Sequence, residues 1–201
     1  MAPTVIALHG YAQSGKDTVA GFLKDYGYER LAFADRLREC VYALDPVVEF
    51  HDKFTRVQPL VDSFGWDYAK VHCDEVRRLL QVFGTEVGRE LIASDIWVRI
   101  VLDQIAEGLG AEGEQFQERF VITDMRFPNE VDGLIEFAEE MMVPLELWKI
   151  ERPGVGPVNA HVSDAGLPDE MFDRILLNNG TLEDLSKIVD NAIEDTTLAR
   201  G

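Results

Sequence analysis

The chain of 201 residues has few cations, few cysteines and no long hydrophobic run. Its 19 Lys and Arg residues stand against 37 Asp and Glu residues, which gives a net charge of −18. Nucleic acids and anionic membranes are bound by clustered positive charge, so this composition argues against both as partners. No apolar segment approaches the ~20 residues of a membrane span. Residues 1–5 lack the basic region of a signal peptide, so we expect a cytoplasmic protein.

Cysteine and histidine are also too sparse to organise the fold. Two cysteines, Cys40 and Cys73, cannot form a disulfide framework, and the four histidines show no metal-ligand spacing. Hydrophobic residues make up 46% of the chain and charged residues 28%. This composition is typical of a globular domain with a real core. We expect one domain over residues 1–201.

Short apolar runs alternate with amphipathic segments along the chain. Strands are predicted at 4–8, 28–32, 120–123, 145–150 and 175–177. Helices are predicted at 19–26, 33–44, 74–91, 94–105, 128–138 and 182–192. The alternation predicts an α/β fold with three layers, in which a five-stranded, mainly parallel sheet is covered on both faces.

Local signals refine some of these boundaries. Asp74 is predicted to be a helix N-cap, and Thr181 with Asp184 resembles a capping box. Residues 108–118 are glycine-rich and acidic, so an exposed loop is predicted there. Residues 46–73 show no clean period, and no element is predicted for most of them.

The strongest motif is the segment 10–18, GYAQSGKDT, which matches G-x-x-x-x-G-K between the first strand and the first helix. Glycines let such a loop curl so that its N–H groups face phosphate oxygens, and the helix N-terminus adds partial positive charge. The lysine adds a full charge. The predicted phosphate-binding residues are Gly10, Gln13, Ser14, Gly15, Lys16, Asp17 and Thr18.

One position departs from the common form of the motif. Asp17 stands where a Ser or Thr usually binds magnesium, and Thr18 follows it. Asp17, Thr18 or water molecules are therefore open alternatives for holding Mg²⁺. Asp17 has two further roles open to it, since it can help to position the acceptor or cap the helix.

Six more segments complete a resemblance to a known family. They are 33–39 (FADRLRE), 79–89 (LLQVFGTEVGR), 122–130 (ITDMRFPNE), 150–154 (IERPG), 159–170 (NAHVSDAGLPDE) and 178–185 (NNGTLEDL). Together with the loop at 10–18, they resemble the deoxynucleoside monophosphate (dNMP) kinases of tailed bacteriophages, in the expected order over nearly the whole chain. Met125 and Asp164 depart from the Val and Glu expected there.

The resemblance implies transfer of the γ-phosphoryl group of ATP to a dNMP, giving dNDP and ADP. It implies a P-loop fold similar to adenylate kinase, with an acceptor-binding helical region at about 33–93 and a short lid at about 152–170. ATP and Mg²⁺ are the implied cofactors, and nucleotides are the implied partners. A homodimer in the cytoplasm of an infected host cell is compatible with the family.

Three residues near strand ends have implied catalytic roles beside Lys16. Asp124 resembles an acid that holds Mg²⁺ through water, Arg126 a phosphate clamp, and Arg152 a lid arginine. Ligands of open α/β sheets bind beyond the carboxyl ends of the strands, which agrees with these positions. The alternatives are a salt-bridged pair for Asp124 and Arg126, and a surface arginine for Arg152.

Substrate contacts are assigned to further positions. Arg36 and Arg89 are predicted to grip the acceptor phosphate, because a guanidinium can bind phosphate oxygens bidentately. The remaining assignments are Asp35, Glu86 and His161 for the substrate, Trp148 for base stacking, and Asn179 and Gly180 for the adenine of ATP. Each assignment has an alternative. The charged residues can be solvated on helix surfaces, Trp148 can be a core aromatic, and Asn179 and Gly180 can form a turn and a helix cap.

Two other functions fit the same loop. A P-loop kinase can act on another phosphorylated small molecule, such as phosphomevalonate, since Ser-Gly-Lys-Asp also occurs in such kinases. A non-kinase switch can bind ATP and hydrolyse it slowly. Turnover that depends on a dNMP acceptor distinguishes the first prediction from both.

Overall fold

The computed structural model describes residues 4–110, 117–156 and 166–199. The chain forms two compact units. One, the sheet unit, comprises Met1–Ala32 and Val101–Gly201, and the other, the helical unit, comprises Phe33–Ile100. The predicted acceptor-binding region at 33–93 lies within the helical unit.

Five strands build the sheet unit. They are β1 (Val5–His9), β2 (Glu29–Leu31), β5 (Phe120–Ile122), β6 (Leu145–Glu151) and β7 (Arg174–Leu177). Their order in the sheet is β2-β5-β1-β6-β7, and each neighbouring pair is parallel. Ala7 of the central strand pairs with Ile122 on one side and Leu147 on the other. The predicted five-stranded parallel sheet is confirmed.

Helices cover both faces of this sheet. They are α1 (Lys16–Asp25), α5 (Ile96–Gly110), α6 (Pro128–Met141) and α7 (Leu182–Ala199). On one face, Ile6 and Leu8 of β1 join α1 and α7 in a single apolar core. On the other face, α6 contacts β6, and Gly108 of α5 packs against the ring of Phe120. Every residue of β1 is buried, which explains its uninterrupted apolar run.

One of the two predicted caps is confirmed. The Thr181 N–H donates to Asp184 Oδ2 at 2.9 Å, and the Asp184 N–H donates to Thr181 Oγ1 at 3.2 Å. The bonds that the Thr181 backbone N–H and hydroxyl donate to this carboxylate lower the pKa of Asp184, and the backbone bond has the larger effect. The other prediction is wrong, because Cys73 is the N-cap and Asp74 is the first helical residue. The negative charge of Asp74 still favours a helix N-terminus.

The helical unit contains α2 (Phe33–Leu44), β3 (Val47–Phe50), β4 (Lys53–Arg56), α3 (Val57–His72) and α4 (Asp74–Val82). A π-helix at Phe83–Ile92 follows α4. The strands β3 and β4 form an antiparallel hairpin, whose turn residues His51 and Asp52 have φ values of 52° and 59°. No element was predicted at these strands or at α3. Gly65, with φ 79° and ψ 162°, breaks the helical backbone within α3, which explains the absent period.

Two other boundaries differ from the prediction. The helix predicted at 74–91 changes at residue 83 from an α-helix to a π-helix, in which the indole N–H of Trp97 donates to the Gly84 carbonyl at 2.9 Å. The loop predicted at 108–118 begins later, because α5 continues to Gly110. Residues 111–116 lie outside the described part. Among the described residues, no helix is long and apolar enough to cross a membrane.

Candidate active site

The loop between β1 and α1 is tied to its own lysine. Lys16, the first residue of α1, donates from Nζ to the carbonyls of Gly10 at 2.6 Å and Tyr11 at 2.9 Å. The Ser14 N–H donates to the Tyr11 carbonyl at 3.1 Å. The loop therefore folds back around the buried lysine and keeps the ammonium at the helix N-terminus, where anions bind.

Two positions in this loop tolerate only glycine. A Cβ at Gly10 would lie 2.6 Å from the Ile150 carbonyl oxygen and 2.7 Å from Ser14 Oγ. Gly15 has φ 108°, and a Cβ there would lie 2.6 Å from the side-chain nitrogen of Asn178. The glycines of the motif are thus required by close approach to β6 and to the turn after β7, as well as by backbone conformation.

Positive charge is concentrated beside this loop. Burial lowers the pKa of Lys16, the charge of Arg126 lowers it further, and the carboxylates of Asp17 and Asp124 oppose this shift. Within the described ranges, neither Lys16 nor the guanidinium of Arg126 forms an ion pair with a carboxylate. Two neighbouring cations without dedicated counter-ions favour the binding of an anion.

The hydroxyl of Ser14 gives a second sign of a ligand. Ser14 is buried, and its Oγ has no hydrogen-bond partner among the described residues. A buried hydroxyl without a partner costs on the order of 1–3 kcal/mol. A phosphate oxygen bound in the loop would accept this hydrogen bond, so the residues present fit a phosphate group.

A cavity of about 390 Å³ adjoins the loop within the sheet unit. Its volume is in the range of small-molecule sites. Tyr11, Pro153, Val155 and Leu177 contribute to its wall, together with Arg152. Arg152 is exposed, and its guanidinium lies 3.5 Å from the Gln13 carbonyl, at the long limit of a hydrogen bond. The arginine at the start of the predicted lid thus lies beside the phosphate-binding loop.

The turn after β7 contacts the same loop through a side chain. The Asn178 amide donates to the Ser14 carbonyl at 2.8 Å, and its backbone N–H donates to the Glu151 carbonyl at 2.7 Å. Asn179 and Gly180 follow on the surface. The sequence analysis assigned Asn179 and Gly180 to the adenine and missed the contact between the Asn178 side chain and the loop.

The candidate magnesium ligands surround Lys16 without forming a cage. Asp17 is exposed, and Thr18 and Asp124 are half-buried. No group of three potential metal-binding side chains occurs among the residues described. Mg²⁺ prefers oxygen ligands and retains several waters, so one or two carboxylates beside a phosphate site suffice. Asp17, Thr18 and Asp124 have the right chemistry for such an ion.

Trp148 lies in the core, which argues against its predicted role in base stacking. Its side chain is 0% exposed, and its indole N–H donates to Glu146 Oε2 at 2.7 Å. No ring face is left for a nucleotide base. The alternative of a core aromatic describes this residue.

The predicted acceptor contacts lie in the helical unit. Asp35 accepts a hydrogen bond from Arg38 at 3.3 Å, and Arg36 pairs with Glu39 at 2.6 Å on the surface of α2. Glu86 and Arg89 lie in the π-helix, where Glu86 is exposed and Arg89 half-buried. His161 lies outside the described residues. These assignments remain predictions.

Two further side chains near the site were missed by the sequence analysis. His9 ends β1 directly before the loop, and Glu130 lies in the first turn of α6, at the end of the segment 122–130. Their positions were the available signals. His9 lies between a strand and a glycine loop, and Glu130 lies four residues after Arg126.

The fold and the loop define a class of proteins, the P-loop kinases. Among solved structures, dephospho-CoA kinase from Campylobacter jejuni has a TM-score of 0.50 to this chain, with 10% sequence identity over 98% of this chain and 99% of that one. At this identity the likeness shows the fold alone. The family model "Deoxynucleotide monophosphate kinase" matches residues 61–189. The chain belongs to the deoxynucleotide monophosphate kinase family.

Curated relatives carry the same description. The deoxynucleotide monophosphate kinase of Escherichia phage RB69 is 29% identical over 114 residues, which are 56% of this chain and 43% of that protein. The deoxynucleoside-5'-monophosphate kinase of Escherichia phage T5 is 29% identical over 130 residues, 64% of this chain and 49% of that protein. The matched segments thus span about half the length of these relatives.

Proposed function

We propose that this protein transfers the γ-phosphoryl group of ATP to a deoxynucleoside monophosphate, giving a dNDP and ADP. The observation that carries the proposal is the site at the loop, where the charges of Lys16 and Arg126 act on each other beside the buried Ser14 hydroxyl and neither forms an ion pair in the described part of the chain. Membership of the deoxynucleotide monophosphate kinase family supports the choice of acceptor.

The phosphates of ATP bind in the loop 10–18, and the adenine contacts Asn179 and Gly180. The adjoining cavity of about 390 Å³ offers room for part of the donor. Asp17, Thr18 and Asp124 would hold Mg²⁺, directly or through water. When bound, this ion neutralises phosphate charge and polarises the phosphoryl oxygens.

The protein's own residues supply positioning and charge. Phosphoryl transfer needs little covalent chemistry from the enzyme, since its transition state is stabilised mainly by cations around the transferring oxygens. Lys16 and Arg126 provide fixed charge there, and Arg152 provides a charge from the lid at 152–170. Closure of that lid excludes water, which would otherwise accept the phosphoryl group.

The acceptor binds in the region 33–93. Arg36 and Arg89 grip its phosphate, and Asp35, Glu86 and His161 are further substrate contacts. The partners of the protein are therefore nucleotides, and we expect neither nucleic acid nor membrane to bind. If the protein is phage-encoded, as its curated relatives are, it acts in the cytoplasm of the infected host cell.

The decisive experiment is an assay of ADP release with MgATP and each of dTMP, dGMP, dCMP and dAMP, repeated with the ribonucleotides. Turnover with at least one dNMP is expected. Protein that binds ATP but phosphorylates no nucleoside monophosphate would exclude the proposed acceptor.

Variants then test the acceptor residues. Arg36→Ala and Arg89→Ala should raise KM for the dNMP, roughly 10- to 100-fold for the loss of a hydrogen bond to a charged group. Arg78→Ala is the matched control, because Arg78 pairs with Glu75 on the exposed surface of the same unit. Equal effects of all three variants would contradict the assignment.

A further inference from the structure

The turn after β5 carries two of the candidate catalytic side chains, Asp124 and Arg126. Met125 lies between them and is 0% exposed. The backbone of this turn is therefore anchored in the protein, while the side chains on either side of Met125 are half-buried at the edge of the sheet. The position of the two charged groups depends on what holds this backbone.

Glu130 holds the turn from α6. Its side chain is buried, and a single oxygen, Oε2, accepts the backbone N–H of Arg126 at 2.7 Å and that of Phe127 at 3.0 Å. Burial of a carboxylate is costly unless it is hydrogen-bonded, and bonds to an ionised acceptor are stronger than neutral ones. The acid four residues after Arg126 thus binds the backbone of the turn, and the guanidinium makes no ion pair within the described chain.

His9 holds the same turn from β1. Its Nδ1 lies 3.0 Å from the Met125 carbonyl oxygen, which can only accept, so Nδ1 carries the proton and donates. The ring is buried and stacks on Phe172, with 5.2 Å between the ring centroids. Gly10, the first residue of the phosphate-binding loop, follows His9 directly.

We propose that Glu130 and His9 are positioning residues, which together fix the backbone of 124–127 so that the Arg126 guanidinium faces the phosphates bound in the loop 10–18. Glu130 sets the N–H side of the turn and His9 its carbonyl side. Both act through the backbone of the turn, and His9 also lines the cavity of about 390 Å³ beside the loop. The assignment of Arg126 to the phosphates rests on the proposed function, and the bonds to the turn do not.

The test uses Glu130→Ala and Glu130→Gln in the full chain. The alanine leaves the N–H groups of Arg126 and Phe127 without their acceptor, whereas one amide oxygen of glutamine can replace Oε2 in both bonds. A displacement of about 1 Å at a catalytic group costs about 100-fold in rate. We expect Glu130→Ala to lower kcat about 10- to 100-fold and to weaken binding of the phosphates as well, and Glu130→Gln to recover most of the rate.

A double-variant cycle separates positioning from general stability. If Glu130 acts through Arg126, Glu130→Ala should have little further effect on kcat in an Arg126→Ala background. Glu146 provides the matched control, since it is also buried and binds Trp148 and Arg174 at 2.7 and 3.1 Å. Glu146→Ala should lower thermal stability and leave kcat within about twofold at a temperature where it is folded.

A second readout does not need catalysis. Binding of inorganic tripolyphosphate, measured by calorimetry, should weaken in Arg126→Ala and Glu130→Ala to a similar extent, and be close to wild type in Glu130→Gln. If the wild-type protein has no dNMP kinase activity, the proposed function fails and this binding series still tests the clamp. If Glu130→Ala does not fold, the pair His9→Ala and His9→Asn, in which asparagine keeps a donor, replaces it.

Three results would overturn the inference. The first is wild-type kcat in folded Glu130→Ala. The second is full additivity of Glu130→Ala and Arg126→Ala, which indicates independent action. The third is unchanged tripolyphosphate affinity in Arg126→Ala, because the turn would then have no cation to position at the phosphates.

Discussion

The two units of this protein differ in how directly their sequence encodes their backbone. In the sheet unit, the inner strands Val5–His9 and Phe120–Ile122 are short runs buried on both faces. In the helical unit, a turn of His51 and Asp52, a break at Gly65 and a π-helix at Phe83–Ile92 interrupt the regular period. Periodicity identifies elements where one large core imposes regular geometry, and it fails where a small unit is built from irregular backbone.

The helical unit also has the smaller core. Its buried cluster consists of Val41, Val48, Val57, Leu60, Ala69, Cys73 and Val76. Two of its large aromatic side chains are exposed, Phe54 by 80% and Phe64 by 53%, whereas Phe50, Trp66 and Phe83 pack against the cluster. An aromatic residue in this unit is therefore an uneven guide to burial, whereas in the sheet unit Phe120 and Trp148 are fully enclosed.

The largest expected effect is on the chemistry assigned to the sheet unit. Lys16→Ala should lower kcat on the order of 10²- to 10³-fold, because the charge aimed at the phosphates is lost. Lys24→Ala is the matched control, since Lys24 lies exposed in the last turn of the same helix. Steady-state assays and circular dichroism check both variants. A folded Lys16→Ala enzyme with near-normal turnover would refute the loop assignment.

The next effect separates transition-state charge from binding. Arg152→Ala should lower kcat roughly 10- to 100-fold, which is the loss of one charge-assisted hydrogen bond. ATP affinity should change less, because a lid arginine acts mainly in the transition state. Parallel measurement of kcat and of ATP binding by calorimetry checks this. A change confined to KM would argue against the role.

Substitution of one glycine in each unit compares how tightly the two units are packed. A Cβ at Gly88 of the π-helix would lie 2.5 Å from the Trp97 ring, so Gly88→Ala should lower the free energy of unfolding by about 1–3 kcal/mol. Gly21, within α1, has open space around its Cβ position, so Gly21→Ala should raise the same quantity by about 1 kcal/mol. Urea titrations measure both. The same sign for both substitutions would contradict this account of Gly88.

The smallest effect concerns pH. Burial lowers the pKa of His9 below its usual value of 6.5. The unfolded chain then takes up a proton first as pH falls below about 6.5, so the stabilising contribution is complete above that pH and is lost below it. His9→Asn should reduce this slope, which for one proton is at most about 1.4 kcal/mol per pH unit. Urea titrations at pH 7.5, 6.5 and 5.5 provide the test, and parallel pH curves for both proteins would contradict it.

The sequence predicted the sheet, its helices and the phosphate-binding loop, because each depends on local residue order. It did not predict the hairpin at 47–56, whose turn uses two non-glycine residues with positive φ. It did not decide whether Trp148 belongs to the site or to the core, since its position in a strand does not say which face of the sheet is covered. It missed Glu130 and His9, because their partners are backbone groups, although the positions of both residues beside the loop and Arg126 offered a signal.

The contact between Asn178 and the loop limits how this protein can be redesigned. The Asn178 amide binds the Ser14 carbonyl and lies against Gly15, so a change in the turn at 178–180 should also displace the loop 10–18. Engineering donor preference through this turn, for example toward GTP, would alter the loop at the same time. Donor selectivity and phosphate affinity should therefore change together, and a library that varies position 178 should keep glycine at 15, where a Cβ has no room.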